Sequence, residues 1–408
     1  MSSAEIPSLP PRSLFSTGAM TVFAAIAAAT FSVSSSAPTP LYRLYQESLH
    51  LTPFLLTLIF AVYAFSLLAA LLTVGSLSDH IGRRPVILAT LLLNALAMAL
   101  FALADTASML IAARLVQGFA TGAATTTLGA AILDTDRQRG PLLNSITAFA
   151  GLSVGTLGAG ALATYAPAPA ELVYLVLLGF SVLLAALLLG MPETMQRRPG
   201  ALASLLPHIH VPSGARTTLV QLTPANVATW ALGGFYFSLM PSLVRVATGL
   251  TAPIIGGIVV ASLTLTAALA VVMLRALPAE RILRLGTLAL AGGIAVTLAG
   301  VHAHFVALIF AGAIVAGVGF GASFSGTLRS LLPLASAQER AGLLSAFYVE
   351  SYLAFSLPAI LAGLAVPTFG LPAVATVYGG VTVLLALTSF MATPPLPRRS
   401  TACPAGSN

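Results

Sequence analysis

Two ionisable side chains, Arg114 and Glu350, stand inside long apolar segments of the chain. A charge in such a segment is costly unless it faces a cavity or a partner, so both are candidate functional residues. Glu350 is flanked by tyrosines and phenylalanines, and a carboxyl in these surroundings can take up and release a proton. We therefore predict proton coupling for Glu350. The alternatives are a neutral Glu350 hydrogen-bonded to a neighbouring helix, and an Arg114 whose stem reaches the membrane interface.

A charged turn punctuated by glycines, V-G-S-L-S-D-H-I-G-R-R-P, begins at Val74 between two apolar runs. Gly75 and Gly82 allow close backbone approach and positive φ angles. Asp79 is placed to meet the amino terminus of a helix from the other half of the molecule, where the helix dipole favours an anion. We expect this contact to hold one side of the molecule shut. A solvated turn that only sets the topology is the alternative.

The apolar runs indicate the fold class. A composition of 58% hydrophobic and 7% charged residues, with a mean hydropathy of +0.98, is typical of a chain surrounded by lipid. Runs of roughly twenty apolar residues span a bilayer as helices, because every backbone polar group in lipid must be paired internally. We predict an all-α membrane protein with twelve transmembrane helices, at approximately 15–36, 53–74, 85–104, 107–133, 141–165, 170–191, 224–247, 253–274, 282–300, 305–327, 341–366 and 371–391.

The arginines orient this bundle in the lipid bilayer. The chain has no lysine, and 15 of its 18 arginines fall on one side when the predicted helices are counted from the amino terminus. The opposite loops carry only Arg43 and Arg245, so the positive-inside rule places both termini in the cytoplasm. No basic stripe interleaves with aromatic residues, which excludes a nucleic-acid partner. The lone cysteine, Cys403, excludes a disulfide within one chain.

The longest polar interval divides the chain into two halves. An acid followed by two bases recurs at the same offsets in both halves, starting at Asp79 and at Glu280. Two such halves, with a substrate site between them and access alternating by rocking, are typical of secondary transporters. We predict a cytoplasmic N-tail, an N-terminal six-helix bundle, a cytoplasmic linker, a C-terminal six-helix bundle and a cytoplasmic C-tail, at 1–14, 15–191, 192–223, 224–391 and 392–408.

Motifs in helices 2 to 4 resemble those of the major facilitator superfamily, the twelve-helix secondary transporters, and the resemblance covers nearly the whole chain. The pattern G-x-L-x-D-R-x-G-R-[RK] between helices 2 and 3 is matched, with His80 in place of the usual arginine, at Gly75, Leu77, Asp79, Gly82, Arg83 and Arg84. The pattern R-x-x-Q-G in helix 4 is matched at Arg114, Gln117 and Gly118.

The helix 5 pattern of drug/proton antiporters, G-x-x-x-G-P-x-x-G-G, is matched only in part. Gly151, Gly155 and Gly160 agree with it, whereas Thr156 replaces the proline and Ala159 a glycine. These glycines are candidates for a bundle interface or hinge, and ordinary close helix packing explains them equally well. Pro358 in helix 11 and Pro241 in helix 7 are expected to kink their helices.

The resemblance implies the superfamily fold, two pseudo-symmetric six-helix bundles, and it assigns roles to several residues. It implies that the first motif forms a conformational gate and that Arg83 pairs with Asp134 rather than with the neighbouring Asp136. It links Arg114 to proton transfer.

The substrate cavity is less well specified. Aromatic and amide side chains within the spans are able to face a wet cleft, and a place at the membrane interface or between helices is the alternative for each. With few charges among them, a lipophilic or weakly cationic substrate is expected. The candidates are Tyr63, Asn94, Gln117, Asn226, Trp230, Tyr236, Tyr348 and Tyr352.

These observations predict a proton-driven exporter of small amphipathic molecules, monomeric, in the cytoplasmic (inner) membrane of a bacterium. Proton-coupled uptake of a sugar or organic acid is the alternative, because the helix 5 pattern is incomplete. The proton gradient is expected to drive transport without a cofactor or a metal. The six histidines are scattered and the sequence has no phosphate loop or Ser–His–acid cluster, so an enzyme is not expected.

Overall fold

The computed structural model describes residues 14–207, 209–336 and 339–392, and every regular element in them is helical. Arg12, Arg398, Arg399 and Cys403 lie outside these residues. Twelve long helices within the described chain confirm the predicted fold class. Their bounds are α1 (Thr17–Ser36), α2 (Pro53–Thr73), α3 (Arg83–Ala102), α4 (Ala107–Thr135), α5 (Gly140–Tyr165), α6 (Leu172–Leu188), α7 (Ser213–Ser238), α8 (Pro253–Met273), α9 (Ala279–His302), α10 (Val306–Leu331), α11 (Arg340–Phe369) and α12 (Leu371–Ala392).

Local sequence sets several of the helix starts. The side chains of Ser16, Thr52 and Thr106 accept hydrogen bonds from backbone amides in the first turns of α1, α2 and α4. These N-caps satisfy donors that a helix otherwise leaves unpaired. Prolines occupy the first turns of α2, α5 and α8, where their missing N–H costs nothing.

Length and composition allow nine helices of the described chain to cross a membrane. α7 is the tenth candidate, because it forms one span with a short continuation, Met240–Thr248, that is bent from it by 60°. Pro241 stands at the start of this continuation, which agrees with the predicted kink in helix 7. The remaining two helices are the 17-residue α6 and the more polar α4, which carries Arg114 and Gln117. α11 continues as a single helix through Pro358.

The start of α7 corrects one predicted boundary. The helix begins at Ser213, well inside the interval 192–223 predicted as linker, and runs through Pro224. The sequence suggested a start at Pro224 because the apolar run begins there, and proline favours the first turn of a helix. Inside a membrane bundle, neighbouring groups satisfy the carbonyl that proline leaves unpaired, so the helix does not have to begin there.

The helices pack as two halves, α1–α6 and α7–α12. Within the first half, α4 lies against α2 and α3, and within the second half α10 lies against α8 and α9. Contacts between the halves are made mainly by two helix pairs, α5 with α8 and α2 with α11. The lengthwise seam that the predicted two-bundle arrangement requires is therefore present.

Small residues bring the backbones together along this seam. A Cβ added at Gly363 of α11 would lie 2.9 Å from Cβ of Thr57 in α2, and one at Gly160 of α5 would lie 3.0 Å from Cα of Ile254 in α8. The hydroxyls of Ser153 in α5 and Thr264 in α8 are hydrogen-bonded at 2.7 Å. Without a hydrophobic force between helices in lipid, such close packing is what holds transmembrane helices together.

Of the α5 glycines predicted for a bundle interface or hinge, only Gly160 lies at the interface between the halves. Gly151 and Gly155 pack against α1, inside the first half, whereas Gly160 packs against α8 across the seam. A Cβ at Gly158 would meet nothing within 4 Å. The spacing of 3.6 residues per turn places Gly160 on the side of the helix away from Gly151.

Replacing Gly155 by valine is expected to destabilise the protein, because the new Cβ would lie 2.9 Å from Cα of Val33. Such overpacking costs about 1–3 kcal/mol. Gly158→Val is the matched control, since it places the same residue on the same helix in open space. Thermal unfolding of the purified protein in detergent should show a lower midpoint for Gly155→Val and little change for Gly158→Val. Equal midpoints would contradict the close α1–α5 packing.

Candidate functional site

A cavity of about 910 Å³ lies between the two halves. At one end its lining includes Gln138, Arg275 and Arg329, which stand at helix ends or in turns. At the other end it stops at Thr39 and Phe237. We call the face with the α2–α3, α4–α5 and α8–α9 turns the arginine-rich face, and the other the opposite face. The cavity opens at the arginine-rich face.

Aromatic rings contributed by both halves line the middle of the cavity. Trp230 of α7 lies 5.0 Å from Tyr352 of α11 between ring centroids, and Tyr348 and Tyr352 are 6.1 Å apart. Tyr63 of α2 lines the cavity from the other half. Four predicted cavity residues, Tyr63, Trp230, Tyr348 and Tyr352, are therefore brought together here.

Other predicted cavity residues are placed elsewhere, which corrects the sequence interpretation. Tyr236 is fully buried in the second half, where its hydroxyl is hydrogen-bonded to Thr297 at 2.9 Å. Gln117 lies behind Arg114 and donates to the Ser34 carbonyl at 2.8 Å. Asn94 and Asn226 are likewise buried within single halves. Polar side chains in a membrane bundle often join neighbouring helices, and the helical spacing alone does not distinguish this role.

Arg114 lines the closed end of the cavity and is only 1% exposed, which excludes the alternative of a stem reaching the membrane interface. Its guanidinium donates to Gln117 Oε1 at 2.7 Å, to the Ser35 carbonyl at 3.1 Å and to the Tyr42 hydroxyl. The rings of Tyr42 and Tyr63 lie 5.5 Å and 5.3 Å from its central carbon. Cation–π contacts of this kind offset part of the cost of burying the charge.

Glu350 does not line the cavity. Its carboxyl lies on the other side of α11, beside Thr223 and Asn226 of α7, and its Oε1 is buried with no hydrogen-bond partner. The residue is thus placed between two helices of the second half. Both the coupling role and the structural alternative are compatible with this position, and proton coupling by Arg114 and Glu350 stays a prediction.

The halves are also joined by charge at the opposite face. Glu47, in a short helix after α1, pairs with Arg43 and lies 3.6 Å from Arg245 of the other half. In the sequence, Arg43 and Arg245 indicate only the orientation of the bundle, and nothing there points to Glu47. This ion pair therefore links the two halves at the opposite face, whereas the cavity opens at the arginine-rich face.

The predicted gate residues meet in the α2–α3 turn at the open end. Arg83 is buried and donates through Nε to Asp134 at 3.0 Å, through its terminal nitrogen to Ser78 at 2.7 Å, and to Asp79. Gly82 has the predicted positive φ, 102°. The structure therefore selects Asp134 over Asp136, whose Oδ1 accepts from the Arg139 amide instead. The gating role of the turn stays a prediction.

Glu193 supports this turn and was missed by the sequence analysis. It follows α6, and its two carboxylate oxygens accept from the amides of Arg83 and Arg84 at 2.8 Å and 3.0 Å. The carboxylate thus stabilises the amino terminus of α3, where the helix dipole favours an anion. Only the folded chain reveals this pairing, since Glu193 is far from the turn in sequence. Arg84 also donates to the Leu189 carbonyl at 2.8 Å.

The segment after Glu193 continues along the same turn. The Arg198 amide donates to the His80 carbonyl at 2.8 Å, and His80 Nδ1 lies 3.0 Å from the Pro199 carbonyl, so that nitrogen is the donor. Ser76 donates to the Ser204 carbonyl at 3.2 Å. His80, the one departure from the first motif, is therefore a contact between the turn and the chain that leads to the second half.

Comparison with known proteins agrees with this architecture. A family model described as Major Facilitator Superfamily matches residues 22–278, more than half of the chain. The chain belongs to the Major Facilitator Superfamily. Tetracycline resistance protein, class C, from Escherichia coli is 34% identical to it over 151 residues, which cover 36% of this chain and 38% of that protein. The chain thus matches well under two thirds of that relative's length.

Two solved transporters share the fold of this superfamily member over most of their length. The crystal structure of a variant of the nucleoside transporter NupG superposes with a TM-score of 0.69 at 16% identity, covering 92% of this chain and 99% of that one. The human organic anion transporter MFSD10 (TETRAN) superposes with a TM-score of 0.65 at 17% identity, covering 93% and 100%. At these identities the likeness shows the fold alone.

One predicted contact is missing in this conformation. Among the described residues, Asp79 pairs with Arg83 on its own half and not with a helix of the second half. The halves are apart at the arginine-rich face, where the cavity opens, so the turn has no helix end to bind across the seam. The contact stays a prediction for a conformation in which this face is closed.

Asp79→Asn is expected to reduce transport to below about a tenth of the wild-type rate, because the turn would lose the anion that is needed to bind a helix dipole. Membrane insertion should be unchanged. The measurement is substrate flux in membrane vesicles, normalised to the amount of protein inserted. Asp136→Asn removes a carboxylate from the same face and serves as the control. Full flux in Asp79→Asn would contradict the gating role.

Proposed function

We propose that this chain is a proton-coupled secondary active transporter that exports small amphipathic molecules by alternating access. The observation that carries the proposal is the aromatic cavity of about 910 Å³, lined from both halves and open at one face only. This volume suits a small organic molecule. Rocking of the halves about the seam would close the arginine-rich face and open the other.

The orientation of the cavity supports a cytoplasmic entrance. The arginine-rich face carries most of the chain's arginines, and the positive-inside rule assigns such a face to the cytoplasm. The cavity therefore accepts molecules from inside the cell in this conformation. We propose that the protein is a monomer in a bacterial inner membrane with both termini cytoplasmic. The tetracycline resistance protein supports this location and the export direction.

Uptake by proton symport is the second candidate. It is favoured by Thr156, which replaces the proline of the antiporter pattern and leaves α5 unbroken. The NupG likeness accommodates uptake as well, since NupG is a nucleoside transporter of the same fold. Inside-out vesicles separate the two directions: an exporter accumulates its substrate in them when the interior is acidified, and a proton symporter releases it.

Glu350→Gln tests the proton coupling. If the carboxyl carries the coupled proton, the variant should lose about tenfold or more of the pH-gradient-driven flux, because an amide cannot take up and release a proton. Its substrate binding should be retained. Fluxes in inside-out vesicles are measured at several imposed pH gradients. Glu171→Gln, at the start of α6 where the side chain makes no capping bond, is the control.

Gradient-driven flux that survives in Glu350→Gln with the wild-type pH dependence would show that Glu350 only joins α11 to α7. A compound screen for growth of a pump-deficient host, with and without this variant, would supply the substrate for the assay.

A further inference from the structure

The charge of the cavity differs from the sequence expectation. The lining includes three arginines, Arg114, Arg275 and Arg329, and no aspartate or glutamate among the described residues. A weakly cationic substrate therefore has no carboxylate to pair with on this wall. The notion of a cationic substrate came from the low charge content of the helices, which does not reveal how few acids face the cavity.

Arg114 is the most unusual of these charges. It is only 1% exposed, yet no carboxylate of the described chain lies within salt-bridge distance of it. Its Nε has no hydrogen-bond partner at all. A buried cation without an anion is expensive, and the aromatic and carbonyl contacts compensate only part of that cost. The site is therefore prepared for a negative group that the protein does not itself provide.

Trp230 supplies an independent observation on the same cavity. Its indole Nε1 is buried and has no hydrogen-bond partner. An indole nitrogen and a guanidinium nitrogen are both donors only. Among the described lining residues, the two buried polar atoms without a hydrogen-bond partner are therefore both donors. A ligand that pairs with them carries acceptor oxygens.

The rings define the rest of that ligand. Phe60 and Phe355 meet across the seam at 4.8 Å between centroids, and Trp230 lies 6.1 Å from Phe355. Tyr63, which covers the guanidinium of Arg114, belongs to the same lining. An apolar or aromatic body fits among these rings, next to the cation at the closed end.

We propose that the cavity selects amphipathic organic anions, with the anionic group bound at Arg114 and the apolar body held by the rings around Trp230. This inference rests on the proposed function, since it names the substrate class of the proposed transport cavity. Export of such an anion would also be favoured by an inside-negative membrane potential, because negative charge then leaves the negative side of the membrane.

The single tryptophan of the chain makes the test direct, because all indole fluorescence of the full-length protein in detergent comes from Trp230. Three probes share one quenching bromophenyl ring: 4-bromophenylacetate, 4-bromophenylacetamide and 2-(4-bromophenyl)ethylamine. At neutral pH they are an anion, a neutral acceptor and a cation.

The half-saturation concentrations at which the three probes quench the fluorescence of Trp230 are compared. We expect the carboxylate to bind about tenfold or more tightly than the amide, because a charge-assisted hydrogen bond is stronger than a neutral one, and the amine to bind most weakly.

Variants of Arg114 test whether this residue causes the preference for the carboxylate probe. In Arg114→Gln the carboxylate should fall to the affinity of the amide, and in Arg114→Lys a preference for the carboxylate should persist. Arg216→Gln removes an equal charge at an exposed position outside the cavity lining and should leave all three affinities unchanged. Size-exclusion profiles establish that each variant is folded. If a variant does not fold, the comparison of the three probes on the wild-type protein still tests the proposal.

Several outcomes would overturn the proposal: equal affinities for the three probes, tightest binding of the amine, no quenching by any probe at millimolar concentration, or a carboxylate preference that survives in Arg114→Gln. Flux of the same probes into inside-out vesicles separates this proposal from the proposed function. Carboxylate-selective binding without flux would leave the site in place and overturn transport. Flux without carboxylate preference would leave transport in place and overturn the anion site.

Discussion

Contact between the two halves depends on close approach of helix backbones near the opposite face. Thr57, Ile254 and Gly257 all lie in the first two turns of helices that begin there, and each meets a partner helix across the seam. In lipid, apolar side chains gain little by leaving one apolar surrounding for another, so small residues that permit tight packing decide where helices adhere. Because this adhesion is concentrated towards one face, the halves diverge towards the other. The cavity, its entrance and the separation of the α2–α3 turn from the second half all follow from that divergence.

The features that the sequence predicted well are local or are dictated by the membrane. Hydrophobic runs identified the helices, because a bilayer leaves few alternatives for the backbone. The positive φ of Gly82 and the pairing of Arg83 with Asp134 agree with the pattern of the α2–α3 turn. The burial of Arg114 agrees with the expectation that an arginine within a span faces protein rather than lipid.

The features that the sequence did not predict depend on which helices become neighbours. Glu193 and Glu47 act on residues of other elements, and nothing in their own surroundings distinguishes them from solvated acids. Tyr236 and Trp230 are aromatic residues of the same helix, but only Trp230 faces the seam, whereas Tyr236 packs inside its own half. The absence of acids from the described cavity wall likewise depends on the rotation of each helix about its axis. That rotation is set by packing, which helical periodicity constrains only loosely.

The hydrogen bonds between the α2–α3 turn and the segment that leads to α7 have a mechanical consequence. That segment is attached to the turn as far as Ser204, and α7 begins at Ser213. Nine peptide steps remain, and they reach about 30 Å when fully extended. The start of α7, and with it the second half, is therefore tethered to the first half by a short segment. This tether limits how far the halves can separate at the arginine-rich face unless its hydrogen bonds to Ser76 and His80 are broken.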